Sequence, residues 1–322
     1  MKDDGNEVPG FFKSTLSPGM IMRILAQMGA GKSNYSSVLI ENASKLDYEI
    51  FTNIFFYTDK QRIKEAIDFG ILEPDIQYKP VPDNVHTVTT LSEALVKMGK
   101  LRMKYKKNAK FLLFLDESSM FASGDIALEK RGKWFKSFTR TIMRKLGGGM
   151  ALITQDAGSL LPLFRKDLPG AEIYIEINRV TGERIENVYM IETVNGVDLE
   201  RNFVDKFRHI PRSTIPYDSK APAKFEIDFD FDAFTNIAGT MKSLDFIREL
   251  PDLVNELAME YRKEQMKDSL TGVTKKKIIM SMLANDPDMD RKIIKKVLKD
   301  FFGEDVSASY LREVYKQFFT NF

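Results

Sequence analysis

The sequence contains no cysteine. Disulfides and thiolate metal sites are thereby excluded, and with them a secreted, disulfide-stapled scaffold. Histidine is nearly absent: only His86 and His209 occur, too few for an ordinary zinc site. Long apolar runs are missing as well. Stretches such as Phe111-Leu-Leu-Phe-Leu115 fall far short of the ~20 residues that cross a bilayer, so no membrane span is expected. Met1-Lys-Asp-Asp-Gly5 does not read as a charged-then-apolar signal segment, and the expected location is the cytoplasm.

An excess of either charge is also lacking overall, the formal net charge being +2. The charges are unevenly spread. Residues 95–145 hold fourteen Lys/Arg against four Asp/Glu, and residues 223–270 hold six against eleven. The basic half points to a polyanion as partner, although a solvated surface is the plainer reading of any charge run. The chain has 322 residues, 43% of them hydrophobic and 29% charged. It is long enough to bury a core of its own.

Short apolar runs alternate with helical patterns. The runs are Met20–Leu25, Ile50–Tyr57, Val85–Thr89, Phe111–Leu115, Met150–Thr154 and Ala171–Ile177. Near-continuous apolar strands separated by helices predict an α/β fold with a mainly parallel sheet covered on both faces. From Ala171 the pattern changes to alternation, broken at Thr181-Gly-Glu183, and resumes over Ile185–Glu192. That is a hairpin, an antiparallel edge of the same sheet. The expected organisation is an arm over 1–18, a core over 19–215, a connecting strap and helix over 216–270, and a small helical module over 271–322. The strap, Phe225-Glu-Ile-Asp-Phe-Asp-Phe-Asp232, alternates but is acidic enough to be exposed. The module shows three helical patterns with Thr274, Asp288 and Ser307 as N-caps.

The first site signal is Ala26-Gln-Met-Gly-Ala-Gly-Lys-Ser33, directly after an apolar strand and before a helix. Glycines let a backbone curl so that successive N–H groups face phosphate oxygens. A helix starting at Lys32 adds its positive end. Gly29, Ala30, Gly31, Lys32, Ser33 and Asn34 are therefore the expected nucleotide-binding residues. Lys32 is placed to reach the β- and γ-phosphates and the Ser33 hydroxyl to ligate Mg²⁺. Ala26 stands where this phosphate-loop pattern has its first glycine. The second signal is Phe111–Leu115 followed by Asp116-Glu117. A buried strand next to that of the loop would deliver both carboxylates at its C-terminal end, where ligands of open α/β sheets bind. Asp116 is expected to hold Mg²⁺ through water and Glu117 to orient and deprotonate the attacking water. A third strand, Met150–Thr154, ends in Gln155, an amide placed to sense the γ-phosphate or the lytic water.

Lys130–Leu146 reads as one helix. Lys133, Lys136, Arg140 and Arg144 share a face, and Phe135, Phe138, Ile142 and Leu146 share the opposite one. The basic stripe suits DNA phosphates or the supply of an arginine to a neighbouring subunit's ATP. A solvated face competes with both. The helix ends in Gly147-Gly-Gly149, read as a hinge. In the C-terminal module, Arg312 and Lys316 on the last helical pattern suit a helix-turn-helix or winged-helix DNA contact. A helical domain docking on another protein or subunit explains that pattern equally well.

Taken in order, AQMGAGKS, FLLFLDESSM, the Arg/Lys-rich helix ending in glycines, and MALITQD resemble the HerA–FtsK superfamily of P-loop ATPases. Within it, the ITQ strand and Phe51-Thr-Asn-Ile54 are similar to the zonula-occludens-toxin group of phage assembly proteins, and the ITQ strand also to conjugation coupling proteins. The resemblance spans roughly Met20–Asn178. It implies a RecA-like core, ATP and Mg²⁺ as ligands, and a homo-oligomeric ring, commonly a hexamer, with DNA in its channel. It carries over Lys32, Asp116, Glu117 and Gln155, and leaves Arg140, Arg144 and Arg165 as arginine-finger candidates. The expected function is a DNA translocase or packaging motor of a virus or plasmid, with a capsid or membrane-channel protein as a further partner. An ATP-driven assembly or secretion factor for phage or pilus-like particles, and a nucleotide-switched DNA-binding regulator, are the alternatives.

Overall fold

The structure is a computed structural model. It describes residues 21–26, 31–116, 137–154, 170–177, 181, 184–194, 198–207, 212–269, 275–286, 289–302 and 306–320. The chain falls into two compact units, Met1–Asn255 and Glu256–Phe322.

The first unit is built on one sheet. β1 (Ile21–Ala26), β2 (Glu49–Thr52), β3 (Val85–Thr87), β4 (Phe111–Leu115), β5 (Gly148–Thr154) and β6 (Gly170–Ile177) run parallel. β7 (Arg184–Val194) and β8 (Asp198–Phe207) close one edge antiparallel. The order across the sheet is β3-β2-β4-β5-β1-β6-β7-β8. This is the α/β fold that the alternating runs predict, including the β6–β7 hairpin. β8 is an addition, because no strand after Ile185–Glu192 is read from the sequence. Its sequence, Asp198-Leu-Glu-Arg-Asn-Phe-Val-Asp-Lys-Phe207, carries charge throughout and lacks apolar alternation. An edge strand tolerates that and is protected from further pairing by it.

β1 and β4 are buried along their whole length, as strands covered on both faces must be. On one face, Met22, Ile24, Leu112, Phe114, Ala151, Ile153 and Ile173 pack with Leu39, Ile40 and Ala43 of α1 (Lys32–Ser44). The alternate positions, among them Phe51, Phe111, Leu113, Met150 and Leu152, are equally buried. α2 (Lys60–Asp68) and α3 (Leu91–Tyr105) begin at side-chain caps. Asp59 accepts from Gln61 N and Arg62 N, and Thr90 accepts from Glu93 N, which satisfies N–H groups that the first turn leaves open.

α4 differs from its expected form. Phe138–Met143 is a π-helical turn that runs on as α-helix only over Arg144–Leu146. The wider turn breaks the three-and-four spacing on which a straight basic stripe depends. Phe138, Ile142 and Leu146 are buried as predicted, and Arg144 is exposed. Lys133 and Lys136 lie outside the described residues. The glycines after α4 are not a hinge. Gly147 is the left-handed C-cap (φ 82°), and Gly148 and Gly149 already belong to β5, paired with Phe111 and Leu112.

The stretch 225–232 is exposed at Glu226, Asp230 and Asp232, as its acidity predicts, but not along its whole length. Phe225, Asp228, Phe229 and Phe231 are buried, and Phe229 and Phe231 pack with Phe234 of α5 (Phe231–Thr240). Asp228 takes hydrogen bonds from Ser92 N (3.0 Å) and Ser92 Oγ (2.5 Å). The acidity of the stretch thus serves partly to cap α3 from outside its own chain segment. Lys145 Nζ donates to Ala238 O and Met241 O and closes the end of α5. α6 (Ser243–Ser269) follows, and the division between the two units falls within it.

The second unit packs α7 (Lys275–Asn285), α8 (Arg291–Phe302) and α9 (Ala308–Thr320) around Ile279, Leu283, Ile294, Leu298, Leu311, Val314 and Phe318. Ser307 Oγ accepts from Tyr310 N, as an N-cap does. The second cap is Asp290, whose carboxylate accepts from Lys292 N; Thr274 and Asp288 lie outside the described residues. No strand occurs among the unit's described residues, so no wing is seen there. Arg312 and Lys316 are exposed on α9. Among the described residues no helix is long and apolar enough to cross a membrane.

Candidate nucleotide site

The loop after β1 enters α1 through Gly31, which has φ 86° and ψ 24°. A side chain is strained in that left-handed region, so glycine is required here on backbone grounds alone. α1 has no side-chain cap and no acidic residue in its first turn. Its leading N–H groups and the positive end of its dipole are thus left for a ligand, as at anion-binding helix starts. The first helical residue, Lys32, is buried. Its Nζ stands 3.0 Å from Asp116 Oδ1, each side chain being 9% exposed.

That contact crosses a strand. β5 lies between β1 and β4, so β4 is not the immediate neighbour of β1 that the sequence led us to expect. Strands two places apart lie about 10 Å from each other. A long lysine from one and an aspartate from the other close the distance. The lysine–aspartate contact is an ion pair by distance without hydrogen-bond geometry, and Lys32 Nζ has no hydrogen-bond acceptor among the described residues. A buried ammonium with donors to spare, at the head of an uncapped helix, fits a phosphate. The Ser33 hydroxyl at the helix start and the Asp116 carboxylate are the oxygen donors that suit Mg²⁺. When bound, that ion would neutralise phosphate charge.

Asp116 is held by a residue that sequence reasoning did not single out as part of the site. Asn53 follows the last residue of β2 and is buried. Its Oδ1 accepts from Asp116 N at 2.7 Å, and its Nδ2 donates to Asp116 O at 3.0 Å and to Ala223 O at 3.1 Å. The available signal was a polar residue ending an apolar strand, the same signal that marked Asp116. Asn34, expected at the nucleotide, turns its Oδ1 to Ser213 N at 2.8 Å. The segment from Ser213 onward therefore runs along the site. It also pairs Phe56 with Tyr217, and Tyr57 Oη donates to Asp218 Oδ2 at 2.6 Å. Burial and then the Asp218 carboxylate push the Tyr57 phenol up to about 12.

Gly29, Ala30, Glu117, Gln155 and Arg165 lie outside the described residues, and of Arg140 only the backbone is described. β5 ends at Thr154 between β1 and β4, so Gln155 follows a strand flanked by both halves of the site. Arg144 lies before the N-terminal end of β5, away from the strand ends that carry Asp116.

Neither a family model nor a curated protein matches the sequence. Solved structures do match in part. The flagellar accessory protein FlaH from Methanocaldococcus jannaschii is 15% identical, covers 63% of this chain and 90% of its own, and superposes with a TM-score of 0.37. A KaiC-like protein from Pyrococcus horikoshii OT3 is 15% identical, with 62% and 96% covered and a TM-score of 0.34. A DnaB-like replicative helicase is 11% identical, with 62% and 58% covered and a TM-score of 0.40. The core described above is an α/β fold with six parallel strands, a glycine-led helix start after β1, and an acidic residue directly after β4.

Proposed function

We propose that the chain is a P-loop ATPase that works on DNA as a translocase or packaging motor in an oligomeric ring. The observation that carries the nucleotide part is the buried Lys32–Asp116 pair at the head of the uncapped helix α1. In this reading Lys32 and the N–H groups of the loop bind the phosphates, Ser33 and Asp116 hold Mg²⁺, Glu117 takes the proton of the attacking water, and Gln155 contacts the γ-phosphate or that water. Lys32 neutralises Asp116 while the site awaits nucleotide, which keeps a buried carboxylate from standing uncompensated.

The DNA part is supported by the basic half of the sequence. Lys100 and Lys104 on α3, and Lys106, Lys107 and Lys110 between α3 and β4, are all exposed, and no acidic residue occurs between Lys97 and Leu115. Such a surface favours phosphate backbones. The resemblance to the HerA–FtsK superfamily supplies the ring and the viral or plasmid setting. The test is ATP hydrolysis with and without single- and double-stranded DNA at low salt, with particle mass measured in the presence of nucleotide. Stimulated turnover by an oligomer is expected. Turnover indifferent to any DNA would remove translocation and leave an ATP-driven assembly factor.

A further inference from the structure

β2 and β4 pair in parallel, and the last partners are Thr52 and Phe114. Beyond them the β2–β4 ladder ends, while Leu115 still pairs with Leu152 of β5 and Asp116 follows it. At that point the Asn53 side chain takes over from the backbone. An amide is the one neutral side-chain group that offers an acceptor and donors side by side, as a peptide unit does. Here the acceptor meets Asp116 N and the donors meet Asp116 O and Ala223 O. The orientation of the amide is fixed by its partners: an N–H needs Oδ1, and the two carbonyls need Nδ2.

We propose that Asn53 is a positioning residue for the metal-side carboxylate. By holding both backbone groups of Asp116, it fixes the Cα from which that carboxylate reaches Lys32 Nζ, 3.0 Å away. By holding Ala223 O in the same grip, it ties the carboxylate to the segment that also meets Asn34 through Ser213. Both halves of the nucleotide site are thus fastened to one stretch of chain, residues 213–223. Asn53 touches neither phosphate nor metal in this arrangement; it acts through Asp116. Aspartate cannot replace it, because a carboxylate has no donor for the two carbonyls and sets a second negative charge beside Asp116. The inference rests on the nucleotide reading given above.

The experiment compares the full-length wild type with Asn53→Ala and Asn53→Asp. A fluorescent ATP analogue is titrated in EDTA and again in Mg²⁺, and thermal unfolding is followed in EDTA. Outer partners of metal-binding groups are typically worth 10–100-fold in metal affinity. The Mg²⁺-dependent gain in nucleotide affinity is therefore expected to fall by about tenfold or more in both variants, while affinity in EDTA, set by Lys32 and the loop, stays within about twofold of wild type in Asn53→Ala. An unchanged Mg²⁺ gain in folded variants overturns the inference and leaves the nucleotide reading intact. If the wild type binds no nucleotide, the reading and the inference fall together. If neither variant folds, hydrogen exchange on the wild type decides. The Asp116 amide is expected to be protected like those of β4, and exchange at an open-loop rate overturns the clamp.

Discussion

Lys32 and Asp116 meet at 3.0 Å across an intervening strand, both side chains almost wholly buried. The pair joins the two segments that the sequence marks most strongly, and it does so without ligand. Removing one partner from such a pair leaves the other charge buried alone, a loss of about 3–5 kcal/mol. Lys32→Met is accordingly expected to lower apo stability in urea titrations. Lys32→Met with Asp116→Asn should recover much of that loss, while neither variant turns over ATP.

Glu117→Gln is expected to bind the ATP analogue with near wild-type affinity and to hydrolyse ATP about 10²–10⁴-fold more slowly, the usual share of a general base. Single-turnover measurements with radiolabelled ATP separate the two effects. Weakened binding with unchanged turnover would assign Glu117 a role other than base.

A second buried pair lies across β1 and β6. Arg23 Nη1 stands 2.9 Å from Glu172 Oε1, with side chains 3% and 1% exposed, and Tyr174 Oη donates to Glu172 Oε2. Arg23→Met alone is expected to cost about 3–5 kcal/mol in unfolding free energy. Arg23→Met together with Glu172→Leu should recover much of that loss, less the hydrogen bond that Tyr174 Oη gives up. A double-mutant cycle in urea measures the coupling.

Gly148 opens β5 against β4. A Cβ there would lie 2.8 Å from Met143 Cε, 2.9 Å from Phe111 Cβ and 3.0 Å from Phe111 O. Gly148→Ala is expected to destabilise by about 1–3 kcal/mol, as overpacking does, read as a lowered midpoint of thermal unfolding. Gly239→Ala, whose Cβ meets nothing within 4 Å, is the control and should not destabilise.

Tyr57 carries a pH signature. Its phenol is pushed from 10.0 up to about 12 by burial and by Asp218. A raised pKa keeps the neutral form in the folded chain while the unfolded chain ionises near its ordinary value. This contribution to stability is therefore complete below pH 10 and is lost as pH rises toward about 12. Tyr57→Phe is expected to flatten the fall of the thermal midpoint across that range.

Local chemistry made much of this protein legible in its sequence. Gly31 must be glycine because its backbone is left-handed, Lys32 begins a helix directly after a buried strand, and Asp116 ends another. The apolar runs announced a parallel sheet and the alternation after Ala171 its antiparallel edge. These features depend on residues close in the chain, so a short stretch suffices to read them. Strand order is different. Parallel strands buried on both faces look alike in sequence, and nothing in Phe111–Leu115 or Met150–Thr154 says which of them neighbours β1. The tertiary structure placed β5 there. It also buried Asp228 and the phenylalanines around it, turned Gly148 into a packing contact, and brought Asn53 to Asp116, 63 residues away. Each of these is a long-range meeting, fixed by how whole faces pack and not by any pattern along the chain.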